Sequence, residues 1–339
     1  MKATINDVAK HAGVSIKTVS RVMNNEPSVR DATKEKVMAS VLALDYQPNL
    51  AARNLAGTKS YSIAFIYDNP NAYYVIDMQN GILKACKAQG YELVIHPCNA
   101  QSKNIMDEIT LMVKMSRISG VVLTPPFSED PKFVEHLTNL DVNVVRIMSG
   151  EIAPDNLSPC VMVNDHKAAF DITDHLINLG HQRIAFIAGG KEHNSSAERL
   201  AGYKDALKSN GLTLDNSLII DGEYSFESGV NGAKALMELE NKPTAIFSCN
   251  DEIAAGALFA ARLMNIDIPS QLSIAGFENS PFSRQTWPKL TTADQPTALI
   301  AENATNLLIA KSKQQTAQGG VEQFTPELVV RDSTVAIDA

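Results

Sequence analysis

The 339-residue chain is 45% apolar and 20% charged, enough hydrophobic material for buried cores of ordinary size, which excludes a disordered or fibrous protein. Its first residues, Met1-Lys2-Ala3-Thr4-Ile5-Asn6-Asp7, lack the apolar stretch of a secretory signal, and no later run is long enough to span a bilayer, so a soluble, cytoplasmic protein without membrane contact is expected. The net charge of −8 is unevenly spread: the first sixty residues hold nine Lys/Arg against five acids and carry +4, which leaves −12 for the rest. A small cationic module on a large anionic body can dock on phosphates while the body stays off the duplex.

In chain order, Thr4 to Asp7 caps a first helix that runs through Ala12, with Ile5, Val8, Ala9 and Ala12 on one face, and Gly13 ends it. Ser15 is a natural N-cap for a second helix over residues 16–23, with Val19, Val22 and Met23 inward and Lys17, Thr18 and Arg21 outward. Asn24-Asn25-Glu26-Pro27 breaks the chain, and a third amphipathic segment spans about residues 31–44, with Val37, Val41 and Leu44 on its buried stripe. A generic three-helix bundle with solvated cations would share this outline. The tight Gly turn, the small and hydroxylated start of the second helix and its exposed cations favour a helix-turn-helix whose second helix enters the major groove. There Ile16 can meet a thymine methyl, Lys17 can reach guanine acceptors, and Arg21 lies one turn deeper. Thr18, Ser20 and Asn24 are placed for phosphate oxygens, with Thr4, Thr33 and Asn49 as further phosphate contacts.

From Ser62 onward short apolar strands alternate with helical pattern: residues 63–66, 92–95, 120–123 and 143–146 in one half, then 160–163, 183–187, 245–248 and 273–277 in a second. The expected fold class is therefore α/β, with two similar open parallel-sheet subdomains, roughly 61–160 and 161–290, the last segments crossing between them. Ligands of such sheets bind beyond the carboxyl ends of the strands, and there the chain places Asp68, Asn69, Thr124, Asn164, Asp165, Asn250, Asp251, Glu278 and Asn279. Arg199 stands early in a helix, where a cation opposes the dipole, so a ligand or carboxylate partner is expected. Tyr73, Tyr74, Tyr224, Phe226 and Trp287 fall near the same strand ends. Rings beside several polar groups suit a sugar, and a purine nearly as well.

No phosphate-binding Gly loop, metal-ligand His pair or Ser elbow is present, and Gly189-Gly190 and the lone His193 are too weak to carry chemistry, so neither an enzyme nor a cofactor is expected. The four cysteines, Cys86, Cys98, Cys160 and Cys249, have no short paired spacing, so neither a zinc site nor a disulfide framework is indicated, and no metal ligand is assigned. An exported sugar receptor would share the body's fold, but here a basic helical head stands where its signal peptide would be.

The stretches Ile5-Asn6-Asp7-Val8-Ala9, Gly13-Val14-Ser15-Ile16-Lys17-Thr18-Val19-Ser20-Arg21-Val22 and Tyr46-Gln47-Pro48-Asn49-Leu50-Ala51-Ala52-Arg53-Asn54-Leu55-Ala56-Gly57 resemble the head and hinge of the lactose-repressor/galactose-repressor family of bacterial transcription regulators. The resemblance extends over residues 61–335 through Leu179-Gly180-His181, the Arg199 segment, Cys249-Asn250-Asp251 and Leu290-Thr291-Thr292-Ala293-Asp294-Gln295-Pro296. It implies a head at 1–48, a hinge helix and linker at 49–60, and an effector-binding and dimerisation domain at 61–339, similar in fold to periplasmic sugar-binding proteins. It also implies a homodimer on a palindromic operator, controlled by a small molecule, a carbohydrate or alternatively a nucleoside or purine. Ala52 and Leu55 would lie in the minor groove, Leu55 as the apolar wedge. Arg199, Asn250, Asp251, Glu278 and Gln295 would line the effector pocket with Asp68, Tyr73, Thr124, Tyr224 and Trp287. One departure stands out: Gly276-Phe277-Glu278-Asn279 replaces the family's Gly-Phe/Tyr-Asp-Asp, so the acid is one methylene longer and its neighbour neutral. Leu55→Ala is expected to weaken operator binding while leaving nonspecific DNA binding intact, and an unchanged ratio of the two affinities in a gel-shift titration excludes the wedge.

Overall fold

The computed structural model describes residues 3–23, 28–46, 61–151, 153, 155–313 and 322–337, and the chain divides into two compact units, residues 1–61 and 62–339. In the first unit α1 (Ile5–Ala12) begins with a capping box: the Thr4 hydroxyl accepts from the Asp7 amide, and the Asp7 carboxylate accepts from the Thr4 amide at 2.9 Å. Gly13, at φ 62°, ends the helix in the left-handed region. Ser15 Oγ accepts from the Thr18 amide at 3.1 Å and so starts α2 (Ile16–Met23), and α3 (Asp31–Ala43) closes the unit. Val8, Ala12, Val19 and Val37 are fully buried between the three helices. The imidazole of His11 meets the buried Ser40 hydroxyl at 3.0 Å, tying α1 to α3.

The second unit carries two parallel sheets. The first combines β1 (Ser62–Tyr67), β2 (Glu92–Pro97), β3 (Gly120–Leu123), β4 (Asn143–Ser149) and β5 (Cys160–Val163), and its outer strand comes from far along the chain, giving the order β11-β5-β4-β3-β1-β2 with β11 (Glu322–Phe324). Helices α4 (Ala72–Gln89), α5 (Ile105–Ser116) and α6 (Pro131–Asn139) lie between its strands in sequence. The second sheet has the order β7-β6-β8-β9, from β6 (Ile184–Ile187), β7 (Ile219–Ile220), β8 (Ala245–Ser248) and β9 (Ser273–Ala275). Its helices are α7 (Asp165–Asn178), α8 (Asn194–Ser209), α9 (Phe226–Met237), α10 (Asp251–Leu263) and the short α11 (Pro281–Gln285). A small antiparallel pair, β10 (Thr292–Asp294) and β12 (Glu327–Val329), and the helix α12 (Thr297–Ser312) complete the fold. None of the helices among the described residues is long and apolar enough to cross a membrane.

One strand assignment is corrected. Residues 160–163, expected to open the second half, pair in parallel with β4 in the first sheet, Cys160 beside Arg146. The cause is a buried clamp: Arg146, 1% exposed, donates to both carboxylate oxygens of Asp155 and from Nε to Ser158 Oγ at 2.9 Å, folding the connection back along β4. A hydrophobic strand pattern records burial, not the sheet a strand joins. The chain therefore crosses between subdomains after β5, between β10 and α12, and between β11 and β12.

Glycines set the closest helix contacts. A Cβ on Gly256 of α10 would stand 2.0 Å from the Phe226 carbonyl oxygen, and one on Gly229 of α9 would stand 2.0 Å from that of Ile253. Replacing Gly256 by Ala gains roughly 1 kcal/mol of helix propensity but meets a backbone atom that cannot rotate away. Gly256→Ala should thus lose a net ~1–3 kcal/mol, read as a lowered Tm, and a raised Tm would refute the close packing.

Candidate functional site

In the head, Lys17 and Arg21 are exposed one turn apart on α2, and Ile16 at its tip is 50% exposed. Thr18 and Ser20 are half-buried beside them, with the Thr18 hydroxyl 2.9 Å from Ser15 Oγ. Thr33, in the first turn of α3, is half-buried, whereas the Thr4 hydroxyl is engaged with the Asp7 carboxylate at 2.7 Å. Asn24, Asn49, Ala52 and Leu55 lie outside the described residues. The three residues expected to read bases thus project from one helix whose opposite face, Val19 and Val22, is locked in the core.

In the second unit a cavity of about 40 Å³ lies between the two subdomains at the strand ends. Its central group is Arg199, on the second turn of α8 and 3% exposed. Nε donates to Asp165 Oδ1 at 2.8 Å, Nη1 to the Cys249 carbonyl at 2.7 Å and Nη2 to Gln295 Oε1 at 3.4 Å, while the guanidinium lies 3.7 Å from the Phe277 ring centroid. The carboxylate partner expected for this cation is Asp165, at the start of α7, whose other oxygen accepts from Ser149 Oγ at the end of β4. A fully desolvated arginine is tolerable only with such pairing.

Glu278 reaches across the cleft. Its Oε2 accepts from Asn71 Nδ2 at 2.7 Å, and Asn71 Oδ1 in turn caps α4 through the Tyr73 and Tyr74 amides. Its Oε1 is 4.0 Å from Arg199, and Glu278 (φ 101°) and Asn279 (φ 55°) both sit at positive φ, which aims the longer acid into the cleft. Burial pushes the Glu278 carboxyl up to about 8, against the lowering pull of Arg199 and with a further raise from Asp251. A second latch joins the subdomains where Glu129, pushed to about 7 by burial, accepts from the Asn194 amide at 3.2 Å.

Arg199, Tyr224, Glu278 and Gln295 line the cavity as expected from the sequence. The other six expected residues are placed elsewhere. Asp68 accepts from the Ala100 amide and holds the loop after β2, Tyr73 packs edge-on against Phe282, and Thr124 is fully buried. Asn250 caps α10 through the Ile253 amide, and Asp251 staples the loop after β9 by accepting from Ser280 N and Thr292 Oγ1. Trp287 is 72% exposed. In their place stand Asn71, Tyr74, Ser149, Asp165, His193 and Ser195. Asn71 and Asp165 are legible as polar residues at helix starts, but Ser149 and Ser195 carry no signal until the subdomains meet. Tyr224, bonded through its hydroxyl to Ser195 at 3.0 Å, covers Gly189, where a Cβ would stand 2.5 Å from the ring.

A basic helix-turn-helix and a two-subdomain cleft with a buried arginine define a ligand-controlled DNA-binding regulator. Comparison with known proteins agrees: residues 4–49 match the model of bacterial regulatory proteins of the lacI family, and residues 173–334 match a periplasmic binding protein-like domain. The chain is 32% identical over 337 residues to catabolite control protein A of Priestia megaterium, covering 98% of this chain and 100% of that one. Its fold is similar to the lac repressor dimer bound to operator and the anti-inducer ONPF, with TM-score 0.76, 26% identity and coverage of 99% and 100%. It is also similar to a transcriptional regulator CelR-cellobiose complex, with TM-score 0.74, 26% identity and coverage of 98% and 99%. The chain belongs to the lacI family of bacterial regulatory proteins and is a DNA-binding transcription regulator.

The raised carboxyls set a pH dependence. Glu278 titrates near 4.5 ordinarily and at about 8 in the folded chain, so the folded state holds the proton more firmly, and its stabilising contribution is full below the ordinary range and is lost as pH rises through about 8. Asp251 and Glu129, both raised to about 7, act in the same direction. Above pH 6.5, beyond the range in which His175, His181 and His193, all lowered by burial, oppose the trend, Tm should therefore fall as pH rises to about 8, and less steeply in Glu278→Gln; an identical slope in the variant would remove Glu278 as a source.

Proposed function

We propose that the chain is a cytoplasmic homodimeric repressor without enzymatic activity, which binds a palindromic operator through paired heads and is controlled by an uncharged carbohydrate in the cleft beside Arg199. The single observation behind the ligand class is that the guanidinium of the cavity is already satisfied: Arg199 donates from Nε, Nη1 and Nη2 to protein acceptors, with Asp165 as its counter-ion. A wider depression of about 670 Å³ shares Met148 and Ser149 with the cavity and is lined by Glu129, Glu151 and Glu198. A phosphate or carboxylate ligand would find no unpaired guanidinium in the cavity, whereas hydroxyls find polar partners in Asn71, Glu278 and Gln295, with Tyr74 and Tyr224 offering ring surface. The CelR-cellobiose complex supports a sugar.

The cavity is about 40 Å³, well under the ~150 Å³ that admits a benzene ring, so ligand entry requires the subdomains to part about their three crossings. The local cost includes breaking Asn71–Glu278, Glu129–Asn194, the Asn194 Nδ2 bond to the Ser149 carbonyl and the Tyr73–Phe282 ring contact, and the change passes to the head through residues 49–60. Exposed apolar side chains, among them Ile76 and Leu83 on α4 and Phe259 and Leu263 on α10, supply surface for a second copy.

A thermal-shift panel of neutral sugars, nucleosides and sugar phosphates tests the ligand class, because a ligand of the folded state raises Tm. A neutral sugar should stabilise the protein and change operator affinity; stabilisation by a sugar phosphate but not its neutral parent, or by a nucleoside alone, overturns the carbohydrate reading. Lys17→Ala should relax preference at one half-site base pair by ~1–3 kcal/mol, and a uniform loss across sequences would make Lys17 a phosphate contact.

A further inference from the structure

The loop between β2 and α5 brings together three side chains that are remote from the cavity's lining. His96 lies near the end of β2, Cys98 is the first residue after that strand, and Glu108 stands in the first turn of α5. Imidazole, thiol and carboxylate ligand atoms lie within 4.8 Å of one another, the one such trio among the described residues. His96 Nε2 is 3.1 Å from Glu108 Oε1, and the Cys98 thiol donates to the His96 carbonyl at 3.6 Å. Asp68 fixes the loop by accepting from the Ala100 amide at 2.8 Å. The imidazole and carboxylate side chains are 24% and 45% exposed, so solutes reach them.

Two chemistries use such a trio. A nucleophilic cysteine needs a free base beside its sulfur, but this thiol donates to the His96 carbonyl and the imidazole Nε2 lies against Glu108 Oε1. A dication suits the trio, since the carboxylate attracts the metal and a coordinated thiol gives up its proton outright. We propose that His96, Cys98 and Glu108 form a binding site for a borderline-soft divalent metal ion of the zinc type. One sulfur, one nitrogen and one oxygen donor suit zinc and disfavour magnesium or calcium. A tetrahedral ion with bonds of ~2.0–2.3 Å holds its donors roughly 3.5 Å apart, so the trio closes on the ion by side-chain rotation, and the fourth position stays open. Binding forms a metal–sulfur bond, breaks the S–H bond and releases that proton to solvent. The cysteines had no paired spacing to suggest this; His96 stands two residues before Cys98, and the fold adds Glu108 from the next helix.

The test uses the full chain, reduced, free of any affinity tag and stripped with a chelator, titrated with Co²⁺ alone. One equivalent per chain should produce a sulfur-to-cobalt charge-transfer band that Zn²⁺ abolishes. Cys98→Ser should lose the band, and Glu108→Gln should weaken Co²⁺ binding by ~10-fold or more, the loss that even an outer-shell partner causes. His96→Asn keeps the thiol and should shift the band, which preserves the test if Cys98→Ser misfolds. Absence of the band in the parent chain, its survival in Cys98→Ser, or an unmoved band in His96→Asn overturns the site.

Discussion

The second unit of this protein is organised by one buried ion pair. Arg199 and Asp165 are 4% and 3% exposed as side chains, and their contacts reach Ser149 at the end of the first sheet, Cys249 after the second, Gln295 on a crossing segment and the Phe277 ring. Removing one member of such a pair typically costs ~3–5 kcal/mol because the other is left desolvated. The pair is therefore structural: it fixes the strand ends against each other and leaves the guanidinium of the cavity with its charge already balanced.

Two further contacts, Asn71 with Glu278 and Glu129 with Asn194, join the subdomains, and each uses a carboxyl that burial has pushed upward. A ligand shifts an equilibrium between cleft arrangements only by differential interaction, and on the function proposed above these contacts are where that difference would arise.

The head follows a different logic. Its core is built from Val8, Val19, Val22 and Val37 and is complete without any ligand, while Ile16, Lys17 and Arg21 are turned outward. The cationic head and strongly acidic remainder separate attraction to phosphate from ligand recognition.

Much of this was legible from residue order. The capping box at Thr4, the Gly13 stop, the Ser15 cap and the spacing of Val19 and Val22 dictate the head because caps and helical period are local properties. Strand runs such as Gly120–Leu123 and Ala245–Ser248 were equally plain, and so was the need of Arg199 for an acid. What tertiary structure alone decided was partnership. Arg146 drew residues 160–163 into the first sheet, helix phase put Tyr74 rather than Tyr73 on the cavity, and Asn250 and Asp251 were spent on capping and stapling behind it. The reason is physical: local pattern fixes which residues are buried or capped, whereas which carboxylate meets Arg199, or which amide meets Glu278, depends on chain closure over tens to hundreds of residues that no local period records.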